Sequence, residues 1–280
     1  MWLARGVDAA PFARLERLAE AASTNTVLRE AATADPSGWP HLSAVLAAHQ
    51  TAGRGRAGRR WQTPPGAALT ASVLVRPRVP AERLPWLTLL AGLAVVRGFP
   101  GAVGLKWPND VLVADAGTEL PGWGTARKVG GILTELLPGR PPAAVVGIGV
   151  NLTQGPEDLP VPSATSLALA GLPAPTAPEL LTAVGRELAG LLARWEAHDG
   201  DAQAAGLLAD VADRCLTLGR PVRVDLPGAA PLHGTARAID DAGRLLVRDA
   251  AGREHAVLAG DVLHVRGEDM DSDDSPPPKR

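Results

Sequence analysis

Between Gln50 and Trp61, four arginines (Arg54, Arg56, Arg59 and Arg60) are spaced by Gly53, Gly55 and Gly58. Arginine presents a fixed fork of N–H donors that matches carboxylate and phosphate oxygens, and glycine lets the backbone bend and come close to a ligand. The stretch reads as an anion clamp or as a solvated basic loop, and by itself it leaves both open. Its glycines also satisfy G-x-G-x-x-G, but a dinucleotide site needs a helix opening there and an acid about 20 residues on. Pro64 and Pro65 follow instead, and no Asp or Glu occurs between Asp35 and Glu82. A nucleic-acid patch fits poorly as well, since no lysine and only one aromatic, Trp61, is interleaved.

Four other segments carry residues able to do chemistry. Ser23, Thr24 and Asn25 offer hydroxyl and amide groups in a row, and Gln50 adds a second amide. Lys106, Trp107, Pro108, Asn109 and Asp110 place a cation, a flat ring and a carboxamide–carboxylate pair at a strand end. Local chemistry favours an ordinary Asx turn there, although Lys106 could face a phosphate and Asp110 could accept a proton. Lys128 precedes Gly130 and Gly131, and Gly147 and Gly149 precede Asn151; glycine inside an apolar strand marks a close approach of backbone or ligand. Packing alone would explain these glycines equally well, and Lys128 alone reads as a surface charge.

The elements that must position these groups follow from periodicity and punctuation. Leu15, Leu18 and Ala22 form a short apolar stripe, and Ser23 to Thr26 followed by Val27 to Ala32 read as a capped helix. Residues 43–48 and 69–75 read as strands, and 81–99 as a helix buried on a sheet. Residues 103–107, 111–114, 129–137 and 144–152 are apolar runs divided by Pro, Gly and Asp, which predicts an antiparallel meander with a loop at 115–125. Leu180, Leu181, Val184, Leu188, Leu191, Leu192 and Trp195 recur at helical spacing, and a further helix is expected near 202–214. From 216 onward the texture changes to short strands (222–226, 234–239, 245–247 and 255–257), which predicts a small all-β barrel. The acidic and then proline-rich end predicts a disordered tail.

Composition bounds the class. The 280 residues are 46% hydrophobic and 21% charged with a formal net charge of −2, as in a soluble globular protein without a whole-surface attraction for nucleic acid. A single cysteine, Cys215, excludes an internal disulfide and a multi-cysteine zinc site, which favours a reducing cytoplasm. Residues 84–96 are too short an apolar run, and interrupted by Pro85, to span a membrane. Residues 1–8 lack the features of an export signal.

In chain order, Ser23 to Asn25, Gln50 with the arginine–glycine loop, Lys106 to Asp110, Lys128 with Gly131 and Glu135, and Gly147 to Asn151 resemble the biotin–protein ligases. Each segment is weak alone; five in order are specific. The resemblance implies an α+β fold: a mixed β-sheet flanked by helices, like the class II aminoacyl-tRNA synthetases, plus a small SH3-like β-barrel at the C-terminal end. It implies a catalytic domain over 1–214, the barrel over 215–267 and the tail over 268–280.

The implied reaction joins biotin to ATP, with Mg²⁺, and then passes biotin from the adenylate to a lysine of a carboxylase's biotin carboxyl carrier domain. In those terms Ser23, Thr24, Asn25 and Gln50 bind the biotin head group. Arg54, Gly55 and Arg56 close over biotin and adenylate, and Lys128 meets the biotin carboxyl end. Arg54, Arg56, Arg59, Lys106, Asn109 and Asn151 contact the nucleotide, while Lys128, Arg54 and Asp110 assist chemistry, Asp110 as base or orienting group. No metal ligand is assigned. Trp61 and Trp107 read as core before pocket wall. Only 22 residues precede Ser23, so no DNA-binding domain, nucleic-acid partner or membrane partner is expected, and the 115–125 insertion and the tail have no place in the family's pattern.

Overall fold

The computed structural model describes residues 10–264 except 100, 140, 141, 227 and 259; the expected tail lies outside the described residues. Strands β1 (Arg14–Leu18), β2 (Ser43–Ala47), β3 (Ala68–Val75), β4 (Val103–Lys106), β5 (Asp110–Val113), β6 (Arg127–Leu137) and β7 (Ala143–Asn151) form one sheet in the order β1-β2-β3-β7-β6-β5-β4. The expected meander is present: β4 to β7 pair antiparallel in succession, and β7 then pairs with β3. Strand β1 corrects the stripe reading. Leu15 and Leu18 belong to an edge strand that runs parallel to β2, with Leu15 opposite Ala44. Two leucines three apart cannot distinguish a helical face from a half-buried strand.

Two helix boundaries also move. Residues 81–99 divide into a 3-10 turn, Ala81–Arg83, and helix α2, Trp86–Arg97, because Pro85 lacks the N–H of a helix interior and stands at the N-cap. The last expected helix begins only at Leu207, since Gly206 takes a left-handed conformation (φ 70°) and interrupts the chain. Helix α1 (Thr24–Ala34) takes in most of the expected cap, and Ser23 makes no capping hydrogen bond; Gln50 Oε1 instead accepts the Thr24 N–H at 2.8 Å. Helix α3 spans Ala177–Glu196, and α4 spans Leu207–Arg214.

The two faces of the large sheet are covered differently. On β3, Leu69, Ala71 and Val73 join the main core with α2 and α3, so α2 is buried almost all round. Leu74 points the other way and packs with Val45 and Val145 beneath Leu28 and Ala32 of α1. That helix is short, and beyond its N-terminal end the second face carries Thr70, Ser72, Gly147 and Gly149 in place of large apolar side chains.

The C-terminal residues form β8 (Pro221–Asp225), β9 (Leu232–Ile239), β10 (Leu245–Arg248), β11 (Glu254–Val257) and β12 (Asp261–His264), antiparallel in the order β11-β10-β9-β8-β12. Strand β12 is additional to the four expected strands; four residues after a glycine give too short a periodic signal. Asp240 and Asp249 set the hairpin turns: each carboxylate accepts the backbone N–H four residues on, at 2.9 Å. Polar links tie this part of the chain to the first domain. The Trp107 indole donates to Gly243 O at 3.0 Å, Trp86 to Asp241 O at 2.7 Å, and Leu216 N–H to Leu105 O at 2.7 Å.

Candidate functional site

The uncovered part of the second sheet face is the floor of a cavity of about 660 Å³, walled by the arginine–glycine loop on one side and by β12 on another. Every candidate site residue except Asn151 lines it. Asn151 is buried outside the cavity, donating to Thr165 O at 2.9 Å and accepting from Gln154 at 2.8 Å, so it braces the chain after β7.

One end is built from neutral groups. Gln50 Oε1 accepts from the Thr24 hydroxyl at 3.1 Å as well as from its N–H. Ser72 Oγ lies 2.8 Å from Thr24 Oγ1 and donates to Asn25 Oδ1 at 2.6 Å; Asn25 Nδ2 donates to Glu135 at 2.8 Å and to Leu133 O at 3.2 Å. A buried amide with both ends engaged is held in one orientation. Space for these groups comes from two glycines. A Cβ on Gly147 would lie 2.5 Å from Asn25 Oδ1, and one on Gly149 would lie 2.7 Å from the Trp61 ring. Trp61 therefore walls the cavity rather than joining the core, and its buried Nε1 has no hydrogen-bond partner among the described residues. Trp107 is core, 1% exposed.

The other end gathers cations. Lys128 and Lys106 share one carboxylate, Asp110, at 2.5 Å and 3.7 Å. The turn of β4 into β5 puts Lys106 and Asp110 opposite each other, and a register shift in the β5–β6 ladder brings Lys128 beside Leu112. Burial alone would push the Asp110 carboxyl up, but Lys128 and Lys106 outweigh it and hold it below the usual carboxylate value. Burial lowers the Lys106 ammonium below an ordinary lysine, against the pull of Asp110.

The arginine loop reaches across this end. Gly55 N–H donates to Arg59 O at 2.7 Å and Trp61 N–H to Gly53 O at 2.9 Å, closing a hairpin around the 3-10 turn Arg56–Gly58. A Cβ on Gly53 would sit 2.3 Å from Trp61 O, so only glycine fits there. Arg56 donates to Asn109 Oδ1 at 2.9 Å, and Arg59 reaches Asp261 of β12 at 2.9 Å. Arg54 hydrogen-bonds Thr26 Oγ1 at 2.8 Å and lies 3.6 Å from Glu135.

Six cationic and three acidic side chains line the cavity, a formal excess of three positive charges. An anion entering here meets preformed compensation. Ser72, Trp123 and Asp261 also belong to the site but are absent from the sequence reading. Ser72 sits inside an apolar strand run, Trp123 lies in a loop, and Asp261 begins the unexpected strand. Among the described residues no group of three or more His, Cys, Asp or Glu could hold a metal ion.

The similarities of the chain agree with this geometry. Residues 20–151 match the Biotin/lipoate A/B protein ligase family, and residues 217–265 match the Biotin protein ligase C terminal domain. The chain is 41% identical over 263 residues to the biotin–[acetyl-CoA-carboxylase] ligase of Mycobacterium tuberculosis, covering 90% of each. It is 35% identical over 252 residues to the ligase of the same name from Paracoccus denitrificans, covering 85% of this chain and 95% of that one. Among solved structures it is similar to the biotin protein ligase from Aquifex aeolicus in complex with biotin and ATP, with TM-score 0.68, 27% identity and coverage of 91% of this chain and 100% of the other. With both domains matched and the cavity assembled from the expected segments, the chain belongs to the biotin–protein ligase family.

Proposed function

We propose that this protein activates biotin with ATP to biotinyl-5′-adenylate, releasing pyrophosphate, and then transfers biotin to a lysine of a carboxylase's biotin carboxyl carrier domain. One observation carries the reading: a single cavity joins a neutral, hydrogen-bonding end to an end with surplus positive charge. Biotin's ureido ring needs donors and an acceptor in fixed positions, which Ser23, Thr24, Asn25 and Gln50 offer. Its carboxylate and the α-phosphate of ATP repel until cations neutralise both, and Lys128, Arg54 and Arg56 of the cavity lining supply that charge.

In the first step a biotin carboxylate oxygen bonds to the α-phosphorus as the bond to pyrophosphate breaks. Arg59 and Lys106 face the departing phosphates, and Asn109 orients Arg56. Mg²⁺ is assigned to the Mg-ATP substrate, where it neutralises phosphate charge. In the second step a neutral lysine amine forms an amide with the biotin acyl carbon, AMP leaves with the bonding electrons, and the amine's surplus proton passes to solvent water. Asp110 suits orientation of that amine better than removal of its proton, because a carboxylate held below its usual pKa is a weak base.

We assign adenylation to a catalytic domain over 1–214 and a supporting role to the small C-terminal domain over 215–267, whose β12 residues Asp261, Val262 and Leu263 line the cavity, with the work done in the cytoplasm. No helix among the described residues is long and apolar enough to cross a membrane. Incubation with biotin, Mg-ATP and a carrier domain should give labelled carrier and pyrophosphate. Absence of biotin-dependent pyrophosphate release would refute the ligase, and a calorimetric preference for lipoate would redirect it to the related acyl ligases.

A further inference from the structure

The segment 115–125 has no place in the pattern that assigned the other residues, yet the structure gives it a definite form. Leu120 and Gly124 exchange backbone hydrogen bonds at 2.9 Å each way, making a tight hairpin with Gly122 and Gly124 in left-handed conformations. Its stem is held from below by the buried Arg127, whose guanidinium donates to Thr118 O, to Gly124 O at 3.2 Å and to Ala126 O at 2.9 Å. Its tip is held by β12, where His264 N–H donates to Gly122 O at 3.2 Å. Three carbonyl oxygens accepting from one buried side chain, and a bond to the second sheet, make a fixed arm rather than a loose insertion.

The arm delivers Trp123 to the cationic end of the cavity, with the Lys106 ammonium 4.7 Å from the centre of its ring. Lys106 needs such a neighbour. It is almost wholly out of water, and the carboxylate it pairs with, Asp110, lies closer to Lys128 than to it, with Asp261 adding a weaker pull. Asp110, shared between two ammonium groups, cannot fully compensate both, and the negative face of an indole supplies part of the remainder without neutralising the charge a phosphate would seek. A second carboxylate in that place would compete with the nucleotide; an indole does not.

We propose that Trp123 is a positioning residue for nucleotide binding: carried on a hairpin braced by Arg127 and β12, it holds the Lys106 ammonium in place for the ATP phosphates. The inference rests on the ligase reading of the cavity. It predicts that Trp123→Leu raises KM for ATP about tenfold with KM for biotin changed less than about twofold, and that Trp123→Phe, which keeps an aromatic face, stays within about threefold of the parent. With Lys106→Met already in place, Trp123→Leu should change calorimetric Mg-ATP affinity by less than about twofold.

An unchanged KM for ATP in Trp123→Leu would overturn the proposal. So would Trp123→Phe as impaired as Trp123→Leu, parallel rises in both KM values, or a full tenfold effect persisting without Lys106. A parent chain that releases no pyrophosphate with biotin would instead overturn the ligase reading itself.

Discussion

The two ends of the cavity are organised by opposite means. At the neutral end, Thr24, Asn25, Gln50 and Ser72 satisfy one another, so the geometry is set before any ligand arrives. At the cationic end, Lys106 and Lys128 share Asp110, Arg59 leans on Asp261, and positive charge remains in excess. The first end selects by shape and hydrogen bonding; the second supplies field. A substitution at one end should therefore leave the other largely untouched, and that separation can be broken experimentally.

The largest effect is expected at the cationic end. Lys128→Ala removes the cation proposed to meet the reacting carboxylate and leaves Lys106 as the nearest ion-pair partner of Asp110. Adenylation should fall about 100-fold or more, of order 3 kcal/mol in the barrier, with biotin affinity changed far less. Single-turnover adenylate formation measures this, and an unchanged rate would return Lys128 to the role of a surface charge.

Acid should act on the cationic end. His264 of β12 is buried; burial, with Lys106 and Arg220 adding, holds its imidazole down to about 3 from the ordinary 6.5. The unfolded chain takes up this proton near 6.5 and the folded chain not until about 3, so the site's support for folding is complete above 6.5 and drains as pH falls towards 3. At pH 5 the loss from this source is at most about 2 kcal/mol, at 1.36 kcal/mol per pH unit. His264→Gln should flatten the drop in unfolding free energy between pH 7 and pH 5 by up to that amount, as read by denaturant titration. Parallel curves for parent and variant would locate the acid sensitivity elsewhere.

The neutral end is probed by Gly149→Ala. The added Cβ lies on a central strand that cannot retreat, so the Trp61 ring must shift. KM for biotin should rise about tenfold, roughly 1.4 kcal/mol, with KM for ATP within about twofold. Equal rises in both would erase the distinction between the ends.

How much of this was legible in the sequence differs between the ends for the same physical reason. Gly, Pro and Asp punctuation marks β4 to β7 because turn chemistry is local, and the glycines of β7 announced a close approach although not what approached. The partners were not local. Ser72 meets Asn25 only because β3 lies beneath the start of α1, and Arg59 meets Asp261 across 202 positions. Such contacts depend on register and on how one sheet seats on another, which no window of residues contains. Conversely Asn151, at the exit of a glycine-bearing strand, had the chemistry of a ligand group and was taken up by Thr165 and Gln154.

The smallest effect tests whether internal carboxylates at the cationic end stand in for phosphate. Asp261 occupies the Arg59 guanidinium at 2.9 Å, and the pair is partly exposed, with side chains 52% and 29% accessible. Exposed pairs of this kind contribute less than about 1 kcal/mol, so the fold should tolerate Asp261→Asn with little change in stability. Removing the charge releases Arg59 and deletes one of the three acids lining a cavity with an excess of positive charge. KM for ATP should then fall by about threefold or less while KM for biotin stays put. A rise in KM for ATP would mean that Asp261 positions Arg59 rather than competing for it, and the cationic end would be preorganised in the same manner as the neutral one.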